Sequence, residues 1–233
     1  MRIAIISDIH ANLEALQKAF AVIDERHADE IVALGDTVGY GGSPNECIEL
    51  LRSRTEYVLL GNHDKAAIDI AEAESFNTVA RTAAAWTSQI LTEANKDFLR
   101  TLPFQIVRHG ITFVHSSPFE PEEWHYVLSP AAAAKNFASF ATRLCFIGHS
   151  HDPEIYCEDV WTKDVLPGKR YLINVGSIGQ PRDGDPRLSF GLYDTETEEY
   201  ENIRAAYDVK TASEKIRKAG LPTVLAERIL AGK

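Results

Sequence analysis

Aspartate, asparagine and histidine recur in five short blocks along this chain: Asp8-Ile9-His10, Gly35-Asp36, Gly61-Asn62-His63-Asp64, His115 and Gly148-His149-Ser150-His151. Carboxylate, amide and imidazole donors hold first-row transition metals. An ion with open coordination positions turns water into a nucleophile near neutral pH and polarises phosphoryl oxygens. No cysteine or methionine stands in the blocks, which argues against a soft-metal site. Asp8 and His10, like His149 and His151, are two residues apart, so that both side chains of a pair can leave an extended strand on one side. Each block has a bland reading in isolation. Asp-x-His is a polar strand end, an acid after glycine is an ordinary turn, and a lone His115 is a hydrogen-bonded structural histidine. Gly61-Asn62-His63-Asp64 is different, because an amide, an imidazole and a carboxylate in a row cost stability unless partners or ligands satisfy them.

Each block closes or directly follows a short apolar run that reads as a strand, at residues 3–6, 31–34, 57–60, 111–114 and 144–147. Strand ends of this kind can meet at one rim of a sheet, and in open α/β sheets ligands bind at the rim of carboxyl ends. Helical patterns alternate with the strands, which points to βαβ units in a layered α/β fold. Leu13, Leu16, Phe20 and Ile23 recur at helical spacing after Asn12, a residue type suited to capping. A second helix is expected over 45–52, opened by Ser43-Pro44 and burying Ile48 and Leu51. Residues 65–102 are helical and alanine-rich, with Trp86, Ile90 and Leu91 as the expected buried face and Pro103 as the stop. Another helix is expected over 130–141, opened by Ser129-Pro130. The remainder to about residue 206 is strand-like, clearest at 171–174 and 188–194, with a hairpin turn over 194–198. The last 25 residues read as two short helices broken by Gly220-Leu221-Pro222. Their stripe of Leu221, Val224, Leu225 and Ile229 can pack internally or against a second subunit, so a homo-oligomer stays open.

In order and spacing over residues 8–151 the five blocks resemble those of the calcineurin-like metallophosphoesterase superfamily. Gly35-Asp36-Thr37-Val38-Gly39-Tyr40-Gly41 with Pro44-Asn45-Glu46-Cys47 adds a further likeness, as does Asn174-Val175-Gly176-Ser177 with Gln180 to Arg187. These stretches resemble the small single-domain prokaryotic branch that contains the YfcE-like phosphodiesterases. The resemblance implies an α/β fold, an αββα sandwich of two mixed β-sheets flanked by helices, with residues 1–233 as a single metallophosphoesterase domain. It implies two divalent or trivalent transition-metal ions, with Mn, Fe, Zn, Co and Ni all suited to the donors. One ion would be held by Asp8, His10, Asp36 and His151, the other by Asp36, Asn62, His115 and His149. Asp36 would bridge them at roughly 3.5–4 Å. His63 would stay off the metals as general acid or transition-state stabiliser, with Asp64 accepting a hydrogen bond from it. The reaction implied is hydrolysis of a phosphodiester or small nucleotide-like ester by a metal-bridging hydroxide. A binding or scaffold module on the same fold is the alternative, and such modules usually show a broken ligand set; here the set is complete.

Two residues are further candidates for reading substrate. Asn12 lies one helical step beyond the first block, with helix capping as the competing role. Arg182 sits in a loop rich in glycine and proline and could present a planar fork to phosphate, with a solvated loop arginine as the competing role. The polar loop 115–125 could cover the site and makes His125 a secondary candidate, whereas His27 and His109 read as surface residues.

Composition narrows the partners. A length of 233 residues fits one domain, and 45% hydrophobic with 25% charged residues is the soluble globular range. A formal net charge of -10 disfavours an extended nucleic-acid backbone, and a nuclease would want a basic groove. Two bound cations reverse the sign locally, which favours a small phosphoester. The apolar run before Asp8 is too short for a signal peptide, and no run approaches membrane-spanning length. Cys47, Cys145 and Cys157 form no CxxC pair and no even set, so a reducing cytoplasm is the expected location.

Overall fold

In the computed structural model, which describes residues 1–160, 162 and 164–233, the apolar runs assemble into two five-stranded mixed sheets. The first sheet contains β1 (Arg2–Ile6), β2 (Glu30–Ala33), β3 (Tyr57–Val58), and two strands from late in the chain, Leu188–Asp194 and Tyr200–Ala205. The second contains β4 (Gln105–Arg108), β5 (Ile111–Val114), β6 (Leu144–Ile147), β7 (Glu154–Cys157) and β8 (Tyr171–Asn174). With Leu188–Asp194 as β9 and Tyr200–Ala205 as β10, the strand orders are β10-β9-β1-β2-β3 and β4-β5-β6-β8-β7. Each sheet has a parallel trio, β1-β2-β3 and β5-β6-β8, edged by antiparallel strands. The trios matter most here, because parallel neighbours deliver their carboxyl ends to the same rim.

Alternation along the strands builds three layers of core. Ile3 and Ile5 of β1, with Val32 and Leu34, face Phe113, Phe146 and Ile173 across the gap between the sheets. Ala4 and Ile6 point the other way, onto the buried stripes of α1 (Leu13–Glu25) and α2 (Pro44–Arg52). The outer face of the second sheet, through Val114, Cys145 and Leu172, is covered by Ala133 of α6 (Pro130–Asn136) and by Phe137 and Phe140. Helix, sheet, sheet and helix follow in that order, the αββα sandwich.

Several local boundaries differ from the sequence reading. The strand expected over 57–60 pairs as two residues only, and the Leu59 and Leu60 amides instead donate to the Ala33 and Pro103 carbonyls, each at 2.9 Å. The stretch 65–102 divides into α3 (Asn62–Ile68), a 3-10 segment (Ile70–Ser75), α4 (Thr78–Ile90) and α5 (Glu93–Arg100). Leu91 is buried as expected, but Trp86 is only half-buried and Ile90 is 37% exposed. The face that α4 turns inward is Ala80, Ala83, Ala84 and Thr87. Ala80 and Ala83 pack with residues of the two C-terminal helices, α7 (Val209–Lys218) and α8 (Thr223–Ala231), and Ala84 with Ala66 of α3 and Ala73 of the 3-10 segment, so the bulky residues are left at the margin. The helix expected over 130–141 is α-helical to Asn136 and continues as a 3-10 turn, Phe137–Ser139. In the C-terminal pair, Leu221, Leu225 and Ile229 pack internally with Tyr40, Ala80 and Ala83. Among the described residues no helix is long and apolar enough to cross a membrane.

Candidate metal centre

The parallel trios bring all five polar blocks to one rim at the junction of the sheets. Asp8 and His10 follow β1, Asp36 follows β2, and Asn62 and His63 open α3 behind β3. From the other sheet, His115 follows β5, and His149 and His151 follow β6. Two triads form: Asp8, His10 and His151 in one, Asp36, His115 and His149 in the other, with the donor atoms of each within 4.8 Å of one another and all six side chains buried. Asp36 joins them. Its Oδ2 lies 3.6 Å from His10 Nε2 and 3.4 Å from His115 Nε2. Asn62 Oδ1 lies 3.3 Å from His115 Nε2, at the edge of the second triad.

The backbone is bent to achieve this. Asp8, His10, Asp36, His149 and His151 all have left-handed φ, at 54°, 49°, 51°, 66° and 64°. Non-glycine residues rarely adopt that region, and strained positions concentrate where a site needs them. The cost is offset by a lattice of main-chain bonds: Asp8 N to Gly35 O at 3.1 Å, His10 N to Asp36 O at 2.9 Å and Gly148 N to His115 O at 2.8 Å. His149 N donates to Asp8 Oδ2 at 2.9 Å, tying the two sheets together. The approach is close enough that a Cβ on Gly148 would run into Ser7 Oγ and Asp8 Oδ2, and one on Gly61 into Asp36 Oδ1.

Proton positions follow from the partners. His10 Nδ1 faces the Val38 carbonyl at 3.1 Å and His151 Nδ1 faces the Gln180 carbonyl at 2.6 Å. A carbonyl only accepts, so both Nδ1 atoms carry the proton and both Nε2 atoms present lone pairs inward. Those two Nε2 atoms stand 3.0 Å apart, an arrangement that repels unless a cation joins it. Burial and mutual repulsion hold His10 well below the usual imidazole range, and burial followed by the charge of Arg182 lowers His151. Burial alone would raise Asp8 and Asp36, but His151 beside Asp8 and His115 beside Asp36 hold both carboxylates ionised. Burial would lower His115, yet the Asp36 carboxylate against it brings it up to about 9. His149, buried and next to His115, falls to about 3. Asp8 Oδ1 and His149 Nε2 are buried without hydrogen-bond partners. Ionised carboxylates, inward lone pairs and orphaned donor atoms fit two cations.

His63 is buried but stands apart from both triads. Its ring packs on Tyr40 at 4.3 Å and Phe76 at 4.8 Å, with its edge to His10 at 5.0 Å between centroids. Burial lowers it to about 4, and its Nδ1 has no partner. The expected hydrogen bond from His63 to Asp64 is not formed. Both residues lie in α3, where adjacent side chains diverge by about 100° and cannot face each other. Asp64 instead accepts from Val38 N at 3.0 Å and Gly61 N at 3.1 Å, closing the start of α3 onto the loop after Asp36. Burial, with Asp36 nearby, raises Asp64 to about 7. Asp64→Ala leaves both amides without that acceptor and is expected to cost about 1–3 kcal/mol for each, read as a lower urea midpoint at constant slope. Asp64→Asn keeps one acceptor oxygen and should cost roughly half as much.

The secondary candidates separate. Asn12 fills the capping role: its oxygen caps α1 at Ala15 N, and its amide donates to the Gly179 carbonyl at 2.9 Å and the Tyr207 hydroxyl at 3.1 Å. Arg182 does reach the site rim, its guanidinium 5.9 Å from the Tyr40 ring centroid and 3.0 Å from Gln180 Oε1. His125 is exposed, beside Glu120 and stacked on Phe119, while His27 and His109 are at the surface. The rings of Tyr40, Phe76, Trp124 and Tyr126 were not assigned a role from sequence. With Asn62, His63 and His149 they line a cavity of about 280 Å³ opening beside the triads. Trp124 of the 115–125 loop is one of them, and Tyr126 lies just beyond that loop.

The sequence matches the model of the calcineurin-like phosphoesterase superfamily domain over residues 1–198. It is 37% identical to an uncharacterized protein of Methanocaldococcus jannaschii over 245 aligned positions, covering 99% of this chain and 98% of the relative. The structure superposes on a metallophosphoesterase from Sphaerobacter thermophilus with TM-score 0.89 and 39% identity, over 100% of this chain and 99% of the other. It also superposes on a hypothetical protein from Pyrococcus horikoshii OT3 with TM-score 0.86 over 100% and 98% of the two chains, a likeness of fold at 20% identity.

Proposed function

This chain belongs to the calcineurin-like phosphoesterase superfamily, and from that premise we propose that it hydrolyses small phosphoesters, phosphodiesters in particular, with two metal ions at the triads. The observation that carries the reading is Asp36 Oδ2, placed between His10 of one triad and His115 of the other. A carboxylate placed in this way could serve ions at both triads. Asp8, His10, Asp36 and His151 would hold one, and Asp36, Asn62, His115 and His149 the other. Bound ions would supply an activated water and neutralise the charge that develops on the phosphoryl oxygens.

The remaining groups act on the substrate. His63, packed between Tyr40 and Phe76, stands beside the triads and lines the same cavity as Asn62 and His149. Its position supports a role as hydrogen-bond and proton donor to the departing oxygen, since an anionic substrate beside it raises the affinity of a buried imidazole for a proton. Arg182, at the rim next to Tyr40, supplies a fixed positive charge and a planar fork for a non-bridging oxygen.

The test is hydrolysis of bis-p-nitrophenyl phosphate and p-nitrophenyl phosphate by chelator-stripped protein, with and without Mn²⁺. Chelation is expected to abolish turnover and Mn²⁺ to restore it, more for the diester than for the monoester. No turnover of either ester with any first-row metal, in protein shown to bind two ions, would leave a binding module in place of an enzyme.

A further inference from the structure

The cavity of about 280 Å³ beside the triads is walled by rings on two sides. Phe76, between the 3-10 segment and α4, lies against His63, and Tyr40 stands on the other side of that imidazole. Tyr126, from the loop after β5, lies over His149 at 4.0 Å with a tilt of 31°. Trp124, from the same loop, presents its edge to His115 at 6.0 Å. Each of these rings is thus one layer away from an imidazole of the candidate centre, and Phe76, Trp124 and Tyr126 are only partly covered. Trp124 is also held at a left-handed φ of 56°, an unfavourable conformation for a bulky residue, while its indole packs on Phe104 at 5.6 Å. Strained backbone of this kind concentrates at functional sites.

We infer that this aromatic cavity is a nucleobase site, and that the substrate is a mononucleotide-sized phosphoester whose base stacks among Phe76, Trp124 and Tyr126 while its phosphate meets the metal triads. This assignment rests on the phosphoesterase reading above. Size supports it: the cavity lies just below the roughly 300–1,000 Å³ of pockets for drug-sized ligands, room for one base and its sugar. Chemistry supports it too. Partly exposed rings stack on any planar base, whereas the Asn77 amide and the Glu123 carboxylate on the same cavity can meet the polar edge that an aliphatic or simple aryl ester lacks. Asn77 spends its oxygen on the cap of α4, at Ala80 N, which leaves its amide nitrogen as the group that can donate.

Calorimetric titration of the Mn²⁺-loaded protein with AMP, ribose 5-phosphate and inorganic phosphate tests the assignment without requiring turnover. AMP is expected to bind about 5–150-fold more tightly than ribose 5-phosphate, the value of one stacked base. Trp124→Ala should close most of that gap with phosphate affinity retained, and Trp124→Phe, which keeps a ring, should reopen part of it. Equal affinities for AMP and ribose 5-phosphate would overturn the base site and leave the phosphoesterase reading standing. So would a Trp124→Ala protein that weakens all three ligands alike, the mark of a structural role. Failure of all three ligands to bind the loaded protein would overturn both readings.

Discussion

Asp36→Asn is expected to lower metal-restored turnover by about 10³-fold or more, because the loss of several kcal/mol of charge stabilisation is about tenfold for each 1.36 kcal/mol. The amide that replaces the carboxylate has nearly the same shape, and its remaining oxygen can still accept from His63 N, which Asp36 Oδ1 now does at 2.8 Å. What disappears is the negative charge at Oδ2, the atom shared by both triads. The variant should therefore stay folded yet retain fewer than two ions. Elemental analysis of the dialysed protein and initial rates on the diester check the two halves separately. A variant holding two ions and turning over at the parent rate would remove Asp36 from the shared position.

His63→Ala should lower turnover by about 10²–10⁴-fold, the usual contribution of a positioned proton donor, with the metal content unchanged. Metal should be retained because the His63 ring belongs to neither triad and its Nδ1 touches no other polar group. The loss should grow as the leaving group becomes more basic, since a good leaving group departs without a proton. Rates over a series of aryl and alkyl esters give the slope. A uniform loss across the series would reassign His63 to substrate positioning; no loss on the poorest leaving group would remove it from the reaction.

The convergence of the two triads was legible because it depends on the order of the blocks. Donor residues at the ends of parallel strands are forced to one rim, so Asp8, Asp36, His115 and His149 converge whatever the loops do. Adjacency in sequence suggests a contact between His63 and Asp64 that helical geometry does not allow. The helical turn that begins at Asn62 separates Asp64 from His63 and hands it the backbone amides of Val38 and Gly61. The capping role of Asn12 was legible locally, whereas its bonds to Gly179 and Tyr207, far away in sequence, were not. Helical periodicity in α4 identified a stripe without saying which neighbours would cover it. Close packing selected the alanines, not Trp86 or Ile90. The rings of Phe76, Trp124 and Tyr126 come from irregular segments with no period, and nothing local in sequence announces that two distant loops will share a cavity.

Each triad draws on both halves of the sandwich: Asp8 and His10 with His151 in one, Asp36 with His115 and His149 in the other. Ions in these positions would act as rivets through the seam, clamping sheet to sheet at the end where the interior core of isoleucine and phenylalanine gives way to polar residues. Holding the catalytic parts and fastening the two plates would then be one act. Slippage of one sheet over the other would then separate the donors of both triads at once.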